Sequence, residues 1–142
     1  MPPTRQRQTA DALLAAFNAM DVPAILALRS PTCIRQIRPA STNVSNQNND
    51  AFAQHLYSML KILQNFKLTC YEFVEDVAAR KIVMWLRARA DTIVGEYVSE
   101  YMWTLEFDEA GKKIVWQKEY VDSAVMRDFW PKVRESVKKA GE

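Results

Sequence analysis

The run from Ala79 to Asp91 constrains the fold of this chain more than any other segment. Apolar residues occupy its even positions from Ile82 to Ala90, while its odd positions carry a mixed set. That set is Val83, Trp85, Arg87, Arg89 and Asp91. Successive side chains of a β-strand point to opposite faces, so the alternation predicts a strand with one apolar face. A tryptophan beside two arginines is unusual for a solvated face, so we expect the odd-numbered face to line a polar ligand pocket.

Length and composition limit the classes of protein to consider. The 142 residues allow one domain, over 1–142, with a single core. With 49% hydrophobic and 25% charged residues, the chain is typical of globular proteins. The net charge of +2, with basic residues that do not cluster, argues against a nucleic-acid surface. No apolar stretch approaches the roughly 20 residues of a membrane span, and residues 1–8 are expected to be flexible.

Cysteine and histidine usage argues against a metal site or a catalytic triad. Cys33 and Cys70 lack metal-ligand or redox spacing, and His55 is the only histidine. We therefore expect no metal and no cofactor, and a packing or surface role for His55. The N-terminus has no apolar core of the signal-peptide kind, which favours the cytosol.

Hydrophobic periodicity predicts helices first and a sheet afterwards. The predicted elements are a helix over 9–20, a short helix capped by Asp21, a strand over 32–38, a helix capped by Asp50, strands near 66–74, 81–91, 96–107 and 114–121, and a final helix from Asp122 or Ser123 that Pro131 should kink or restart. Short links between the last four strands imply antiparallel neighbours. This α+β order resembles the cone-shaped barrel of nuclear transport factor 2 and ketosteroid isomerase, whose curved sheet leaves a pocket open at one end.

Strand pairing then predicts which side chains share the pocket. Pairing across the turn 92–95 sets Arg89 near Ser99, Arg87 near Tyr101 and Trp85 near Trp103. A bulged register of the last hairpin adds Gln117 and Glu119, whereas a slip of one residue would add Trp116, Lys118 and Tyr120 instead. The predicted site comprises Trp85, Arg87, Arg89, Asp91, Glu100, Tyr101, Trp103, Gln117 and Glu119, with Met59 and with Arg35 or Arg38 nearby. The alternative places Arg87 and Arg89 on a solvated face or in a dimer interface.

A set of short segments is similar to the SnoaL-like proteins of fungal polyketide and meroterpenoid pathways. These segments are Pro39–Ser41, Asn65–Lys67, Ala79–Lys81, Ala90–Thr92, Gly95, Tyr97, Glu100–Tyr101, Gly111–Lys113 and Val121–Ser123. The resemblance covers roughly residues 10 to 135 and implies a small, cofactor-free isomerase or cyclase, usually a homodimer. It also implies that Asp91, Glu100, Glu119 and Asp122 occupy family positions. The chain departs from the group at Arg35, where relatives often have histidine, and on the strand with Trp85, Arg87 and Arg89.

These observations support a hypothesis for the chemistry. Glu119 or Glu100 would move a proton, because an enclosed carboxyl group disfavours its ionised form. Arg87, Arg89 and Tyr101 would stabilise a developing enolate or carboxylate. Trp85 and Trp103 would hold the rings of an oxygenated substrate and exclude water, and a pericyclic ring closure steered by shape is a variant. Alternatives are a non-catalytic dimeric binding or scaffold module, and a dehydratase or hydrolase that uses the same pocket.

Overall fold

A computed structural model describes residues 2–141. Its elements are α1 (Arg5–Asn18), α2 (Val22–Ala27), β1 (Arg29–Arg38), a 3₁₀ turn (Ala40–Thr42), α3 (Asn49–Leu60), β2 (Gln64–Asp76), β3 (Lys81–Thr92), β4 (Gly95–Phe107), β5 (Ile114–Val121), α4 (Ser123–Asp128) and α5 (Trp130–Ala140). The element order agrees with the sequence prediction. Among the residues described, no helix has the length and apolar character that crossing a membrane requires.

Side-chain caps fix where the helices begin. Thr4, Asp21 and Asn48 each accept a hydrogen bond from a backbone N–H in the first turn of α1, α2 and α3, a contribution of about 1 kcal/mol per helix. Asn48 takes the capping role predicted for Asp50. Helix α1 begins at Arg5 and not at Thr9, so residues 5–8 of the segment expected to be flexible are helical. A proline in the first turn of α5 begins this new helix directly after α4, as predicted for Pro131.

The five strands form one curved sheet in the order β1-β5-β4-β3-β2. The pairs between β2, β3, β4 and β5 are antiparallel, as the short connections predicted. Strand β1 pairs with β5 in parallel, a pairing that was not predicted from the sequence. This pairing places the first strand of the sheet in chain order beside β5, the last one.

The core lies between helices α1–α3 and one face of the sheet. The even-numbered residues of β3 from Ile82 to Ala90 are almost completely buried there, with Ile82, Leu86 and Ala88 at 0% exposure. They belong to the same cluster as Leu13 and Phe17 of α1. Burying this apolar face stabilises the fold by roughly 25 cal/mol for each Å² of apolar surface removed from water. The face that packs on the helices is called the inner face below.

Candidate active site

The sheet and helices α1–α3 enclose an inner cavity of about 90 Å³. Apolar side chains make most of its wall: Phe17, Met20, Val22, Ile25, Phe52, Leu56, Met59, Leu60, Leu63, Phe66, Leu68 and Trp103. An outer cavity of about 300 Å³ is walled partly by Trp130, Val133 and Arg134 of α5. Five residues line both cavities, namely Arg35, His55, Met59, Tyr97 and Tyr101. We call these five residues the neck, and all of them except Met59 bring polar groups to the edge of an apolar chamber.

A buried ion pair joins the neck to β5. Nε of Arg35 donates to Oε2 of Glu119 at 2.7 Å, and Nη2 donates to Oε1 at 2.9 Å. Two parallel hydrogen bonds of this kind are stronger and more directional than one. Glu119 is 1% exposed and lines the inner cavity. The remaining terminal nitrogen of Arg35, Nη1, donates to the side-chain oxygen of Gln47 at 2.7 Å, so all its nitrogens are engaged.

Two tyrosines stand on β4 beside this pair. Tyr97 and Tyr101 are separated by four residues, so both point to the inner face, and their hydroxyl groups are hydrogen-bonded to each other. Burial raises the pKa of Tyr97, and it raises the pKa of Tyr101 well above its ordinary value. Both hydroxyls therefore keep their protons near neutral pH and can donate hydrogen bonds to an oxygen in the cavity.

His55 completes the polar part of the neck. Its ring stacks on Phe52 with centroids 6.4 Å apart. Burial lowers the pKa of His55 from 6.5 to about 4, and the positive charge of Arg35 lowers it further in the same direction. The imidazole is therefore neutral near pH 7, and one of its nitrogens can accept a hydrogen bond.

The structure brings together part of the predicted site. Glu119, Tyr101, Trp103, Arg35 and Met59 all line the inner cavity. Gln117 is fully buried directly behind Glu119 and lines neither cavity. The bulged register of the last hairpin placed Gln117 and Glu119 on the correct face. The observed Cα partner of Trp103 on β5 is Glu119, whereas the register predicted for this hairpin set Trp103 beside Gln117.

The prediction that the odd-numbered face of β3 lines the pocket is wrong. Arg87 is exposed opposite Glu100, and Trp85 lies half-buried opposite Met102, both on the outer face. The hairpin register differs from the predicted one by a single residue, and such a shift exchanges the two faces of a strand. Burying the aliphatic face is favourable, whereas burying two guanidinium groups without partners would be costly.

The other charged residues assigned to the pocket also lie outside it. Arg89 forms surface ion pairs with Glu96, with Nε 2.6 Å from Oε2, and with Asp91, with Nη2 3.1 Å from Oδ1. Glu100 is exposed. Arg38 is on the opposite face of β1 from Arg35 and lines neither cavity. Of the two arginines weighed for the first strand, the structure selects Arg35.

Sequence reasoning missed two residues of the neck. Tyr97 lies four positions before Tyr101 on the same predicted strand, so the two-residue period could have identified it. His55 was assigned to packing, because its place on the flank of α3 gives no sign that β4 and β1 lie opposite. Two further buried or partly buried side chains are hydrogen-bonded to the site: Arg29 to Gln117, and Gln47 to Arg35. No local sequence pattern marks either of them.

Known proteins similar to this chain come from fungal biosynthetic clusters. No protein-family model matches the sequence. Austinoid biosynthesis cluster protein H of Aspergillus calidoustus is 31% identical over 138 residues, which cover 93% of each chain. Protein J of the same organism is 33% identical over 137 residues, 91% of this chain and 81% of that relative. A relative from Aspergillus aculeatus named monooxygenase AacuP is 26% identical and covers 96% of this chain and 94% of its own length.

Solved structures agree in fold. BvnE pinacolase from Penicillium brevicompactum is 26% identical, with a TM-score of 0.84 and 97% of each chain covered. A putative SnoaL-like polyketide cyclase from Shewanella denitrificans, with 12% identity, a TM-score of 0.73 and 89% of this chain and 97% of that one covered, shares the fold alone.

The curved sheet, the enclosed cavity and these neighbours define a SnoaL-like α+β protein of the nuclear transport factor 2 fold, with enzymatic activity of the isomerase or cyclase type. By its identity with the austinoid proteins, the chain belongs to their family of fungal secondary-metabolite biosynthesis proteins.

Proposed function

We propose that this protein rearranges an oxygenated polyketide or meroterpenoid intermediate, as an isomerase or cyclase that needs no bound cofactor. One observation carries the proposal: a buried Arg35–Glu119 ion pair meets an apolar cavity beside two tyrosine hydroxyls. An apolar chamber suits the hydrocarbon part of such a substrate, and a few convergent polar groups fix its orientation. The families of the similar proteins favour the same substrate class.

Glu119 and the tyrosines of the neck provide the parts of an acid–base mechanism. Glu119, in its carboxylate form, takes a proton from a substrate hydroxyl or from a carbon next to a carbonyl. Negative charge then develops on a substrate oxygen, and the protonated Glu119 returns its proton to another atom of the intermediate, so that the product keeps the mass of the substrate. The Tyr101 hydroxyl, polarised by its hydrogen bond to Tyr97, donates to that oxygen, and preorganised donors of this kind commonly supply the largest part of rate enhancement.

The cavity wall supplies the remaining part of the mechanism. Trp103 packs edge-on against Phe17, with ring centroids 5.1 Å apart, and both line the inner cavity. Their rings hold the substrate in one conformation and exclude water from the reacting atoms. Where the rearrangement closes a ring, including by a pericyclic route, this shape contributes more than proton transfer.

The test of the proposal is the mass of the product. The substrate is the metabolite that accumulates when the gene is disrupted in its host, purified and incubated with the enzyme. Isomerisation or cyclisation yields a product of unchanged mass, whereas dehydration removes water, hydrolysis adds water and monooxygenation adds an oxygen atom. A product of altered mass, or the same conversion by Glu119→Gln, would overturn the proposal. Glu96→Gln, an exposed change of the same type, is the matched control.

We also propose that two copies associate through the outer face of the sheet. Trp85, Met102 and Tyr120 are Cα partners on β3, β4 and β5, and they line one groove on that face. Tyr120 is 52% exposed in the single chain. Aromatic and methionine side chains are enriched in protein interfaces. We expect the dimer to act in the cytosol.

A further inference from the structure

Gln117 connects the catalytic carboxylate to a second buried arginine. Its side chain is 0% exposed and lines neither cavity, so substrate does not touch it. Nη1 of Arg29 donates to Oε1 of Gln117 at 2.7 Å, and Nε2 of Gln117 donates to Oε2 of Glu119 at 2.6 Å. The amide therefore bridges Arg29 at one end and Glu119 at the other.

The direction of these hydrogen bonds is fixed by chemistry. A guanidinium group has donors only, so the Gln117 oxygen must face Arg29 and the Gln117 NH₂ group must face Glu119. Glu119 then accepts from Gln117 and twice from Arg35. A proton on Oε2 would meet donors from both sides. The three hydrogen bonds therefore hold the Glu119 side chain in one rotamer.

The charges of the network are not balanced. Arg29 is 4% exposed, and its identified acceptors, Gln117 and Asn49, are both neutral. Its Nη2 atom has no hydrogen-bond partner among residues 2–141. Buried charges are usually paired, and a glutamate at position 117 would pair Arg29. With glutamine there, two guanidinium groups and one carboxylate leave a positive excess beside the cavity, which favours an anionic intermediate.

We propose that Gln117, anchored by Arg29, is a positioning residue that holds Glu119 aligned with Arg35 for proton abstraction. The inference rests on the proposed function, in which Glu119 is the base. It assigns the buried amide a role that a neutral side chain can fill and a carboxylate cannot.

The substitution Gln117→Glu tests this proposal with little change in shape. The new carboxyl group still accepts from Arg29, so the buried cation keeps a partner. While protonated it can donate to Glu119 as the amide does, but once ionised it repels Glu119 at hydrogen-bonding distance. We therefore expect kcat on the accumulated metabolite to fall about tenfold, relative to wild type, between about pH 5 and about pH 8, with KM changing little. Gln54→Glu, on the exposed side of α3, is the matched control.

A measurement without substrate separates this proposal from the proposed function. The side-chain Nε–H signal of Arg35 in ¹⁵N NMR, assigned by its loss in Arg35→Lys, reports the contact with Glu119. In Gln117→Glu its exchange with water should match wild type at about pH 5 and be about tenfold faster at about pH 8. Exchange equal to wild type at both pH values would overturn the positioning role. If Glu119→Gln remains active while this signal behaves as expected, the proposed function fails and the positioning of Glu119 stands.

A second variant covers the case in which Gln117→Glu does not fold. The double substitution R29M/Q117M replaces both partners with apolar side chains, so neither is left buried and unpaired. The Nε–H exchange of Arg35 should then be about tenfold faster than in wild type at every pH. Unchanged exchange in the folded double variant would overturn the proposal.

Discussion

Arg35 and Glu119 form their ion pair across β1 and β5, two parallel strands that are distant in the chain. The Cα partner of Arg35 is Gln117, and the Cα partner of Glu119 is Ile37. The guanidinium group therefore reaches along the strands to the carboxylate of the next inward-pointing residue of β5. Removing one member of a buried pair leaves the other charge unpaired, at a cost of about 3–5 kcal/mol. The same contact thus affects both stability and the proposed chemistry.

The substitution Glu119→Gln should abolish proton abstraction. An amide is not a base at neutral pH, and its NH₂ group would face donors of Arg35. We expect conversion of the accumulated metabolite to fall by at least about a hundredfold. Chromatography with mass detection measures the conversion, and circular dichroism establishes that the variant is folded. Wild-type conversion by a folded Glu119→Gln enzyme would exclude Glu119 as the base.

The outer arginines should be dispensable for the reaction. Arg87 and Arg89 are exposed on the face of β3 that points away from both cavities. We expect Arg87→Ala and Arg89→Ala to retain conversion within about twofold and stability within about 0.5 kcal/mol. Arg35→Ala, which removes a buried guanidinium group, is the contrasting variant. A large loss of activity in Arg87→Ala alone would contradict this expectation and show that Arg87 takes part in the reaction.

His55 should make stability depend on pH. Its pKa is about 4 in the folded protein, against an ordinary value of 6.5. The unfolded chain therefore binds a proton first as the pH falls, and folding stability present above pH 6.5 is lost progressively toward pH 4. We expect the free energy of unfolding to fall by about 2 kcal/mol between about pH 7 and about pH 5.

Urea denaturation of wild type and His55→Gln at both pH values checks this expectation. His55 is the single histidine among 142 residues, so it is the side chain whose ordinary titration lies in this interval. The variant should lose most of the difference between the two pH values. An equal dependence on pH in both proteins would contradict the buried, neutral imidazole.

The outer face should control assembly. We expect the wild-type protein to sediment as a dimer and Tyr120→Glu to sediment as a monomer, because a charge would be buried at the contact. Glu109→Lys, an exposed change in the turn before β5, should leave the dimer intact. Wild-type protein that sediments only as a monomer would contradict the proposed association.

Much of the fold was predictable because local patterns and local links determine it. The alternation along β3 and β4, and the short turns between them, predicted neighbouring antiparallel strands. The bulge next to Phe107 also kept Gln117 and Glu119 on the inner face, as expected. Part of the site follows from this, since Tyr101, Trp103 and Glu119 share that face.

The rest of the fold and of the site depends on strand register and on which face of each strand is buried, and local patterns do not specify these. A difference of one residue in the hairpin at Ile93 and Val94 decides which face of β3 is buried, and the predicted register places the wrong face toward the pocket. Aromatic and charged residues on one strand suggest a pocket and an interface equally well. Burial of Ile82, Met84 and Leu86 decides between them. Removing hydrocarbon side chains from water stabilises the folded state, whereas burying arginines without partners destabilises it.

Local sequence patterns predicted the elements, their order, the antiparallel part of the sheet and the resemblance to the fungal family. They did not predict that Arg35, and neither Arg87 nor Arg89, meets Glu119, which is a property of the folded sheet. The physical reason is that this contact depends on the parallel pairing of β1 with β5, which joins segments 84 positions apart. No periodicity within either segment encodes that pairing, since it becomes favourable only when the whole sheet closes around its core.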